Sequence, residues 1–498
     1  MVSTQHSNAV PIAGYDNNGT VYDAGELILR QISAGYLDEA KTIFNLYNNL
    51  GLKQYGIVET SFVESEGVFH HKKHIISYPF EWTANMFKEA VLFHLNLFLG
   101  LEKHGLTLKD ALSSNIVFDS YGPVFVDFLS IVQRDKLKNE SWLVEGTNYS
   151  DPRFAVFEKM FTPFILIPLM AMAKNDYSLA RTLLAERACN CGGVEPQWGD
   201  LYSSSSLSTI KTLAKNVAKR VLGRTVKPDT ALRRVKSVRQ LIGTKGKLTF
   251  TDFNRRMLEF VAHTEVTPPK SAYISYYEDK SEAFDITDRS GWENKQKNVY
   301  AIISESKPKR VLDLGANTGW FSILAEKLGA EVISTDIDES CIDSLYLYAK
   351  DKRLNILPLL VPFDDLTRSI YGISYDGPDY KDRDFKTNPL FIPATERLKS
   401  DLVLCLGLIH HLVLGEGKDI ELVFDVLSSL SRQTLVLEYV DLNDELVKSE
   451  PFFFRNLSNF TEENYNIHIV TDIGRRYFPD VQVMDSHPNT RKLLVFRR

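Results

Sequence analysis

Seven short apolar segments after residue 309 constrain the fold more than any other feature of this sequence. The first five are rich in leucine, valine and isoleucine on both faces, as parallel strands are when helices cover both sides of a sheet. The last two are joined by the turn-rich segment SHPNT, which predicts an antiparallel hairpin. In chain order the segments are RVLDLG, EVIST, NILPLLV, DLVLCLG, TLVLEYV, VQVMD and KLLVFR. We therefore expect an α/β domain with a Rossmann-like sheet of five parallel strands and a terminal hairpin.

The 498 residues exceed the length of one ordinary domain, which is about 100 to 200 residues. Residues 1–200 mix short β-like segments with apolar residues at helical spacing, as in TANMFKEAVLFHLNLFLGLEKHG, and predict an α+β module. Residues 201–270 are rich in lysine and arginine and predict a basic helical bridge. Residues 271–498 hold the α/β domain. Because dinucleotide-binding folds normally end with another parallel strand, the hairpin ending makes this domain resemble class I S-adenosylmethionine-dependent methyltransferases.

Composition excludes several classes of protein. Apolar residues make up 44% and charged residues 24% of the chain, which is typical of a globular protein. The net charge of -6 gives no general argument for nucleic-acid binding. Four cysteines are too few for a secreted disulfide scaffold, and Cys189 and Cys191 lack the further ligands of a metal site, so no metal is expected. No signal-peptide pattern is visible, and the apolar run from Phe161 is shorter than a membrane span, so we predict a cytoplasmic protein.

The segment DLGANTG at the end of the first predicted strand has the spacing of a ligand-binding turn. Asp313 ends the strand, Gly315 lets the backbone pass close to a ligand, and Gly319 begins the helix. The residues after Gly315, Asn317 among them, are expected to point free amides into the crevice at the carboxyl end of the strand. Three residues separate the two glycines, so the dinucleotide pattern G-x-G-x-x-G is not met and a diphosphate ligand is disfavoured.

Acidic residues at the ends of the next two strands complete the predicted nucleoside site. Asp336 ends the second strand, where an acid accepts hydrogen bonds from the ribose hydroxyls of an adenosine. Ile337 belongs to the same predicted site. After the third strand, Asp365 lies where methyltransferase-like domains meet the adenine amino group, with Asp364 as the alternative. These residues, with Asp313 before the turn as a further donor-binding acid, suit S-adenosylmethionine, which has a cationic amino-acid end and a ribose. The competing interpretation is a structural turn that binds nothing.

The ends of the fourth and fifth strands carry the candidate groups for the methyl acceptor. Gly407, which belongs to the predicted donor site, ends the fourth strand, and His410 and His411 follow in a stretch that lines the acceptor cavity of many methyltransferases. A histidine there can accept a proton from an attacking hydroxyl. The alternative is packing against the next helix, which we favour for His410 and leave open for His411. Glu438 ends the fifth strand and is expected to orient His411 or to bind the acceptor.

A closer resemblance covers most of the chain. It is carried by VLDLGANTGWFS, DIDESCIDSLY, DLVLCLGLIHHL and LEYV, together with the upstream segments ISYPFEW and LTLKDALSSNIVFDSYGPVFVDFLS. These segments look like those of bacterial methyltransferases related to host-specific nodulation proteins, which are often encoded among genes for surface polysaccharide or nodulation-factor synthesis. The resemblance implies a C-terminal methyltransferase domain with a companion N-terminal module. Trp320 departs from the pattern, because relatives often carry a basic or smaller residue there.

The N-terminal module has a kinase-like pattern of its own. Asp110 and Asn115 have the spacing of the catalytic Asp and the metal-binding Asn of kinase catalytic loops, and Asp127 follows where a metal-binding Asp would lie. However, no His or Arg precedes Asp110, Leu129 replaces the glycine after the Asp-Phe pair, and no glycine-rich loop or strand lysine is evident. The module therefore resembles a degenerate aminoglycoside-kinase-like fold, for which we expect acceptor recognition rather than phosphoryl transfer.

Two further segments have competing interpretations. In TIKTLAKNVAKRVLGR the apolar residues share one face of a helix. This helix either lies on an anionic membrane surface or phosphorylated carrier, or is an ordinary helix with a charged, solvated face. In AYISYYEDKSEAFDITDRSGWENKQ the aromatic residues Tyr276, Tyr277 and Trp292 either cover the acceptor pocket as a lid or belong to a domain interface.

The sequence as a whole predicts an S-adenosylmethionine-dependent methyltransferase that O-methylates a hydroxyl of a glycan, a glycolipid or a related polar metabolite. One alternative is a bifunctional kinase and methyltransferase that uses ATP and magnesium through Asp110, Asn115 and Asp127. Another is a binding scaffold without catalysis. No nucleic-acid partner is expected, and any peripheral membrane contact is predicted to involve the basic bridge.

Overall fold

The computed structural model describes residues 9–11, 18–145, 149–189, 249–271, 273–274, 286–367, 370–371 and 389–498. Some of the predictions fall elsewhere. The basic segment 201–248, the proposed lid residues Tyr276 and Tyr277, Cys191 and the side chain of Cys189 lie outside the described residues.

The N-terminal part begins with a five-stranded antiparallel sheet. Its strands are β1 (Val10–Pro11), β2 (Gly19–Asp23), β3 (Leu27–Ile32), β4 (Thr60–Val63) and β5 (Val68–Lys72). Their order in the sheet is β1-β2-β3-β5-β4, and helix α1 (Leu37–Asn49) connects β3 to β4. Phe44 of α1 packs against Phe69 of β5 with 5.6 Å between ring centroids, so the helix covers the buried face of the sheet.

The rest of the N-terminal part is mainly helical. Helix α2 (Ala84–Glu102) is the one that the apolar periodicity predicted, and the Thr83 hydroxyl caps its start by accepting a hydrogen bond from the Met86 amide. A π-helical segment, Phe157–Leu166, contains Pro163, which has no N–H to donate to the helical ladder. The remaining helices are α3 (Ser141–Val144), α4 (Arg153–Val156), α5 (Ile167–Met172), α6 (Tyr177–Cys189) and α7 (Phe250–Ala262).

Helix α7 packs on the N-terminal core, although the sequence placed it in the bridge. It lies against α2. The Phe253 ring of α7 contacts the rings of Phe154 and Phe157, with centroid distances of 5.4 and 4.6 Å. The last part of the predicted bridge therefore buries an apolar face against the N-terminal module. The basic composition of the preceding segment did not indicate this packing.

The kinase-like motif is carried by two short antiparallel pairs. Strand β6 (Leu106–Leu108) pairs with β9 (Ile131–Gln133), and β7 (Ile116–Asp119) pairs with β8 (Gly122–Phe125). Asn115 directly precedes β7, and Asp127 lies between β8 and β9. The two motif residues are thus brought to neighbouring loop ends.

Among the described residues, one helical stretch, Arg153–Met172, has the length and apolar composition of a membrane-spanning helix. It includes the apolar run from Phe161 that was noted in the sequence. Inside the protein, 67% of its most apolar window is buried, and a core helix shows the same property.

The C-terminal part is built on a seven-stranded sheet. Its strands are β10 (Arg310–Leu314), β11 (Glu331–Asp336), β12 (Ile356–Leu360), β15 (Ser400–Cys405), β16 (Ser431–Val440), β17 (Asp480–Asp485) and β18 (Arg491–Arg497), while β13 (Ile370–Tyr371) and β14 (Pro389–Phe391) form a separate pair. The sheet order is β12-β11-β10-β15-β16-β18-β17. The first five strands in this order are parallel, and β18 runs antiparallel to both β16 and β17. All seven predicted strands are observed, with the predicted terminal hairpin.

Helices cover both faces of this sheet, as its apolar strands require. Neighbouring residues Val311 and Leu312 of β10 belong to two different apolar clusters, one on each face. Trp292 and Trp320 pack together in one cluster with 5.3 Å between ring centroids, so Trp292 is a core residue and not part of a lid. The helices are α8 (Asn294–Ser306), α9 (Trp320–Lys327), α10 (Glu339–Lys352), α11 (Ala394–Arg397), α12 (Ile420–Leu430), α13 (Glu445–Ser449), α14 (Pro451–Leu457) and α15 (Ile467–Arg475).

The strand order reverses between β10 and β15. From β10 the chain moves outward through β11 and β12, and it then returns to β15 on the other side of β10. Ligands of open α/β sheets bind in the crevice that such a reversal leaves at the carboxyl ends of the strands. The turns after β10, β11 and β15, which hold most of the predicted site residues, meet at this edge.

Candidate active site

The turn after β10 has a backbone shape that depends on its residue types. Gly315, Asn317 and Gly319 have φ angles of 70°, 53° and 84°. Glycine and asparagine adopt this left-handed region most readily. At Gly319 an added Cβ atom would also lie 2.5 Å from a methyl carbon of Leu345, so there is no room for a side chain.

The amides of this turn are not free, which corrects the expectation from the sequence. The N–H groups of Gly315 and Ala316 donate to the Thr335 carbonyl at 2.8 and 3.0 Å. The Asn317 N–H donates to Asp336 Oδ2 at 2.8 Å. These bonds satisfy backbone donors that would be costly to leave unpaired, and they tie the turn to the end of β11. A ligand at this edge can therefore contact the surface of the turn and the Asp336 carboxylate.

Asp336 is well placed to bind a ribose. Its Oδ2 accepts the Asn317 N–H, and its Oδ1 accepts the Asp338 N–H at 2.9 Å. A carboxylate has about four acceptor positions, so each oxygen can accept a further hydrogen bond. Burial raises the pKa of Asp336, while the bonds from the two amides act in the opposite direction. The neighbouring Ile337 is 71% exposed and offers an apolar face beside the carboxylate.

Asp313 lies beneath the crevice and not in it. Its side chain is buried, and its Oδ2 accepts a 2.6 Å hydrogen bond from the Ser322 hydroxyl of α9. The Ser322 hydroxyl in turn accepts a 2.7 Å bond from Ser334 of β11. Burial raises the pKa of Asp313 to about 7. The structure thus makes Asp313 a support for the turn, whereas the sequence predicted a group that contacts the donor.

The two acids that follow β12 have different surroundings. Asp364 Oδ1 forms an ion pair with Lys418 Nζ at 2.5 Å, and its side chain is 74% exposed. Asp365 is half-buried in the 3₁₀ turn Phe363–Asp365. The assignment of Asp365 to the adenine amino group, with Asp364 as the alternative, stays a prediction.

The two histidines after β15 lie side by side, with 4.3 Å between ring centroids. Gly407, with φ of 65°, turns the chain ahead of them. His410 is 2% exposed and stacks on Phe453, and within the described residues neither of its ring nitrogens has a hydrogen-bond partner. His411 is half-buried. Burial lowers the pKa of both rings, that of His411 to about 4, so both are neutral at pH 7.

Glu438 does not have the partner that the sequence suggested. The side chain is fully buried, and its two oxygens bond to Lys295 Nζ at 2.7 Å and to the Ser486 hydroxyl at 2.5 Å. A Cβ atom on Gly407 would lie 3.7 Å from Glu438 Oε2, so the carboxylate stands directly behind the end of β15. Both carboxylate oxygens are therefore engaged by groups other than His411.

Lys295 and Ser486 are partners of Glu438 that the sequence did not indicate. Lys295 lies 143 positions from Glu438 and Ser486 lies 48 positions from it. Neither residue stands in a recognisable motif, and only the folded sheet brings them to the fifth strand. The available signal was Glu438 itself, because an acid at a buried strand end needs a hydrogen-bonding or charged partner in the fold.

The N-terminal motif residues are partly brought together. Asn115 Nδ2 lies 3.5 Å from Asp127 Oδ2, and the other oxygen of Asp127 forms a 2.8 Å ion pair with Arg30 of β3. Asp110 is held through its backbone, because its N–H and carbonyl both bond to the Ser130 hydroxyl at 2.9 Å. Arg30 was not singled out in the sequence, where only a strand lysine was sought.

The sheet order and the reversed terminal hairpin agree with the sheet that the sequence predicts, and the acid at the end of β11 lies at its carboxyl edge. S-adenosylmethionine is the cofactor that the sequence predicts for this edge. The residues at the crevice fit it, because Asp336 retains acceptor capacity beside the exposed face of Ile337.

The chain matches no protein-family model. It is 24% identical over 384 residues to the nodulation protein NoeA of Rhizobium meliloti (strain 1021), and the match covers 75% of this chain and 70% of that protein. This similarity confirms the resemblance to host-specific nodulation proteins that the sequence motifs indicated.

Some solved structures resemble parts of the chain. The 2.2 Å crystal structure of WbdD is 17% identical with a TM-score of 0.30 and covers 45% of this chain and 42% of WbdD. A second structure describes WbdD as a bifunctional kinase-methyltransferase. The magnesium protoporphyrin IX methyltransferase ChlM from Synechocystis PCC 6803, solved with bound SAH, is 12% identical with a TM-score of 0.27, over 58% of this chain and 99% of ChlM. The match to WbdD thus spans less than half the length of that protein.

Proposed function

We propose that the protein is an S-adenosylmethionine-dependent methyltransferase that transfers a methyl group to a hydroxyl of a glycan, a glycolipid or a related polar metabolite. The observation that carries this proposal is the geometry of Asp336. Its carboxylate is fixed at the end of β11 by the Asn317 and Asp338 amides, and the exposed Ile337 stands next to it. This arrangement offers charge-assisted hydrogen bonds to the ribose hydroxyls and an apolar face for the adenine.

Each residue around the crevice would bind a different part of the donor. Asp336 binds the ribose, Ile337 packs on the adenine, and Asp365 accepts from the adenine amino group. The turn at Gly315, Asn317 and Gly319 borders the crevice in a left-handed backbone conformation that glycine adopts without strain. When bound, the donor supplies an activated methyl group, so the protein contributes mainly alignment.

His411 is the proposed proton acceptor for the attacking hydroxyl. Its lowered pKa of about 4 keeps the ring neutral and leaves a nitrogen lone pair available at pH 7. The same low pKa makes it a weak base, which would accept the hydroxyl proton only as the new oxygen–carbon bond forms and the methyl group leaves the donor sulfur. His410, which is buried and stacked on Phe453, is proposed to hold His411 in place.

Aromatic rings beside His411 support a sugar as the acceptor. Phe452 is 48% exposed, and its ring centroid lies 5.6 Å from that of His411. Phe454 on the same helix is 55% exposed. A sugar has apolar C–H faces and polar hydroxyls, so an exposed ring next to a proton acceptor suits both.

Two experiments test the proposal. Calorimetric titration with S-adenosylmethionine should show binding of one donor per chain, and absence of binding would contradict it. Incubation with a methyl-labelled donor and fractionated cell extract should then place label in a carbohydrate-containing fraction. Label recovered only in fractions without carbohydrate would exclude the glycan acceptor.

A second candidate function is phosphoryl transfer by the N-terminal part. It is favoured by Arg30, which stands on the third strand of a five-stranded sheet and pairs with Asp127, the proposed metal-binding acid. Kinases place a basic residue on the corresponding strand and pair a metal ion with the corresponding acid. Titration with ATP and magnesium separates the functions, because binding supports the bifunctional enzyme and no binding leaves acceptor recognition as the role of this part. A chain that binds neither ligand would be a scaffold.

A further inference from the structure

Helix α10 begins directly after the proposed ribose-binding turn and is held there by the N-terminal part. Glu339 and Asp343 lie one turn apart on α10 and face the first turn of α2. Glu339 Oε1 accepts the Ala84 N–H at 3.1 Å. The two oxygens of Asp343 accept the backbone N–H of Asn85 at 3.1 Å and its side-chain amide at 2.6 Å.

These bonds cap one helix with the side chains of another. The first amides of a helix have no partner within it, and they carry the positive end of the helix dipole. In α2 the Thr83 hydroxyl caps only the Met86 amide. The preceding two amides are capped by carboxylates from the C-terminal part, which therefore completes the start of α2.

Arg181 of α6 forms an ion pair with Glu339 in this cluster of acids. Its Nη2 lies 2.5 Å from Glu339 Oε1, and its Nη1 donates to the Trp82 and Phe80 carbonyls at 2.5 and 3.2 Å. Both charged side chains are mostly buried, at 20% and 8% exposed. A pair in such surroundings holds a fixed geometry, because either charge would be costly to leave unpaired.

A continuous set of bonds leads from this cluster to Asp336. Glu339 is in the first turn of α10, whose Cys341 amide is capped by Asp338 Oδ1 at 3.1 Å. The Asp338 amide in turn donates to Asp336 Oδ1 at 2.9 Å. The position of the Asp336 carboxylate is thus set by the start of α10, and the start of α10 is set by α2 and Arg181.

We propose that Arg181, Glu339 and Asp343 are positioning residues for the methyl donor, through which the N-terminal part holds the ribose-binding acid in its binding geometry. The proposal rests on the proposed function of the C-terminal crevice. It assigns to the N-terminal part a role in donor binding, in addition to any contact with the acceptor. The module then is required for full donor affinity even though it supplies no group that touches the donor.

The experiment measures the dissociation constant for S-adenosylmethionine by calorimetry on the full chain. Arg181→Ala and Glu339→Gln should each weaken binding about fivefold or more, and Arg181→Lys, which keeps the charge, should recover part of the loss. The matched control is Lys350→Gln. Lys350 forms a 2.8 Å ion pair with Glu89, which joins the same two helices away from the start of α10. This variant should bind as the wild type does.

A double-mutant cycle distinguishes positioning from a general loss of structure. If Arg181 acts through Asp336, the loss of donor affinity in the double variant should be smaller than the sum of the losses in Arg181→Ala and Asp336→Ala. Once the Asp336 carboxylate is gone, Arg181 has no group to position. Additive losses, unchanged affinity in Arg181→Ala, or an equal loss in Lys350→Gln would overturn the proposal. A wild-type chain that fails to bind the donor would instead overturn the proposed function, so the two failures are distinguishable. Melting temperatures of all variants show whether each is folded.

Discussion

Lys295 of α8 and Glu438 of β16 form an ion pair of 2.7 Å behind the carboxyl ends of the central strands. The Lys295 side chain is 14% exposed and that of Glu438 is fully buried. Ser486 of the terminal hairpin bonds to the second carboxylate oxygen. Three separate segments of the C-terminal part therefore meet at one buried carboxylate, directly behind the residues proposed to bind donor and acceptor.

Removal of Lys295 should destabilise the protein strongly. Lys295→Ala leaves the Glu438 carboxylate buried without its cation, which costs about 3 to 5 kcal/mol when a buried pair is broken in this way. The exposed Lys297 on the same helix provides the control, and Lys297→Ala should change stability by less than about 1 kcal/mol. Denaturant midpoints compare the two variants. Equal midpoints would show that the pair does not support the sheet.

Asp313 should give stability an identifiable dependence on pH. Burial raises the pKa of Asp313 from 3.8, the value of an unperturbed aspartate, to about 7, so the folded state binds the proton more tightly. This contribution is fully present below the unfolded pKa and is lost as the pH rises through about 7. Asp313→Asn cannot titrate, so the melting temperature of the wild type should fall relative to this variant across that range. Parallel curves would mean that the carboxyl is not held protonated.

His411 should be needed for transfer but not for donor binding. His411→Asn removes the proton acceptor and should lower the rate of methyl transfer by about 10² to 10⁴-fold, the usual contribution of a general base. The donor dissociation constant should stay the same, because His411 serves the acceptor. His468, exposed on α15, is the matched control, and His468→Asn should retain full activity. A base with a pKa of about 4 further predicts a rate that falls only as the pH approaches 4.

Much of the C-terminal fold was predictable because its signals are local. Apolar segments of strand length, separated by helical patterns, predicted the strands from β10 to β18 that form the main sheet, and SHPNT predicted the hairpin. The tight turn at Gly315 and Gly319 was also predictable from residue type, and the structure adds its left-handed backbone conformation. The acid at the end of β11 was recognisable because a strand end fixes where its last side chain lies.

The remaining features depend on contacts between distant segments. Free amides were expected after Gly315, yet these amides bond to Thr335, which lies on the next strand. The Asp313 side chain was expected in the crevice, but its hydrogen bond with Ser322 holds it in the interior, below the glycine turn. Pairings such as Arg30 with Asp127 join residues 97 positions apart and leave no periodic signal in the chain.

The bonds between α2 and α10 were equally hidden. In the sequence, Glu339 and Asp343 are ordinary acidic residues near the start of a predicted amphipathic helix, where negative charge is favourable. In the structure they are buried and cap a second helix, at sequence separations of 255 and 258 residues. Such roles arise from the docking of the two parts, which no local pattern encodes.

The most direct test of the proposed donor site is a calorimetric titration of Asp336→Ala with S-adenosylmethionine beside the wild type. The control is Asp401→Ala, because Asp401 also accepts two backbone amides, those of Lys309 and Arg310, but at the opposite end of the sheet. We predict that the wild type and Asp401→Ala bind the donor alike and that Asp336→Ala binds about tenfold or more weakly, from lost charge-assisted hydrogen bonds. Equal affinity in Asp336→Ala and the wild type would contradict a donor site at the end of β11.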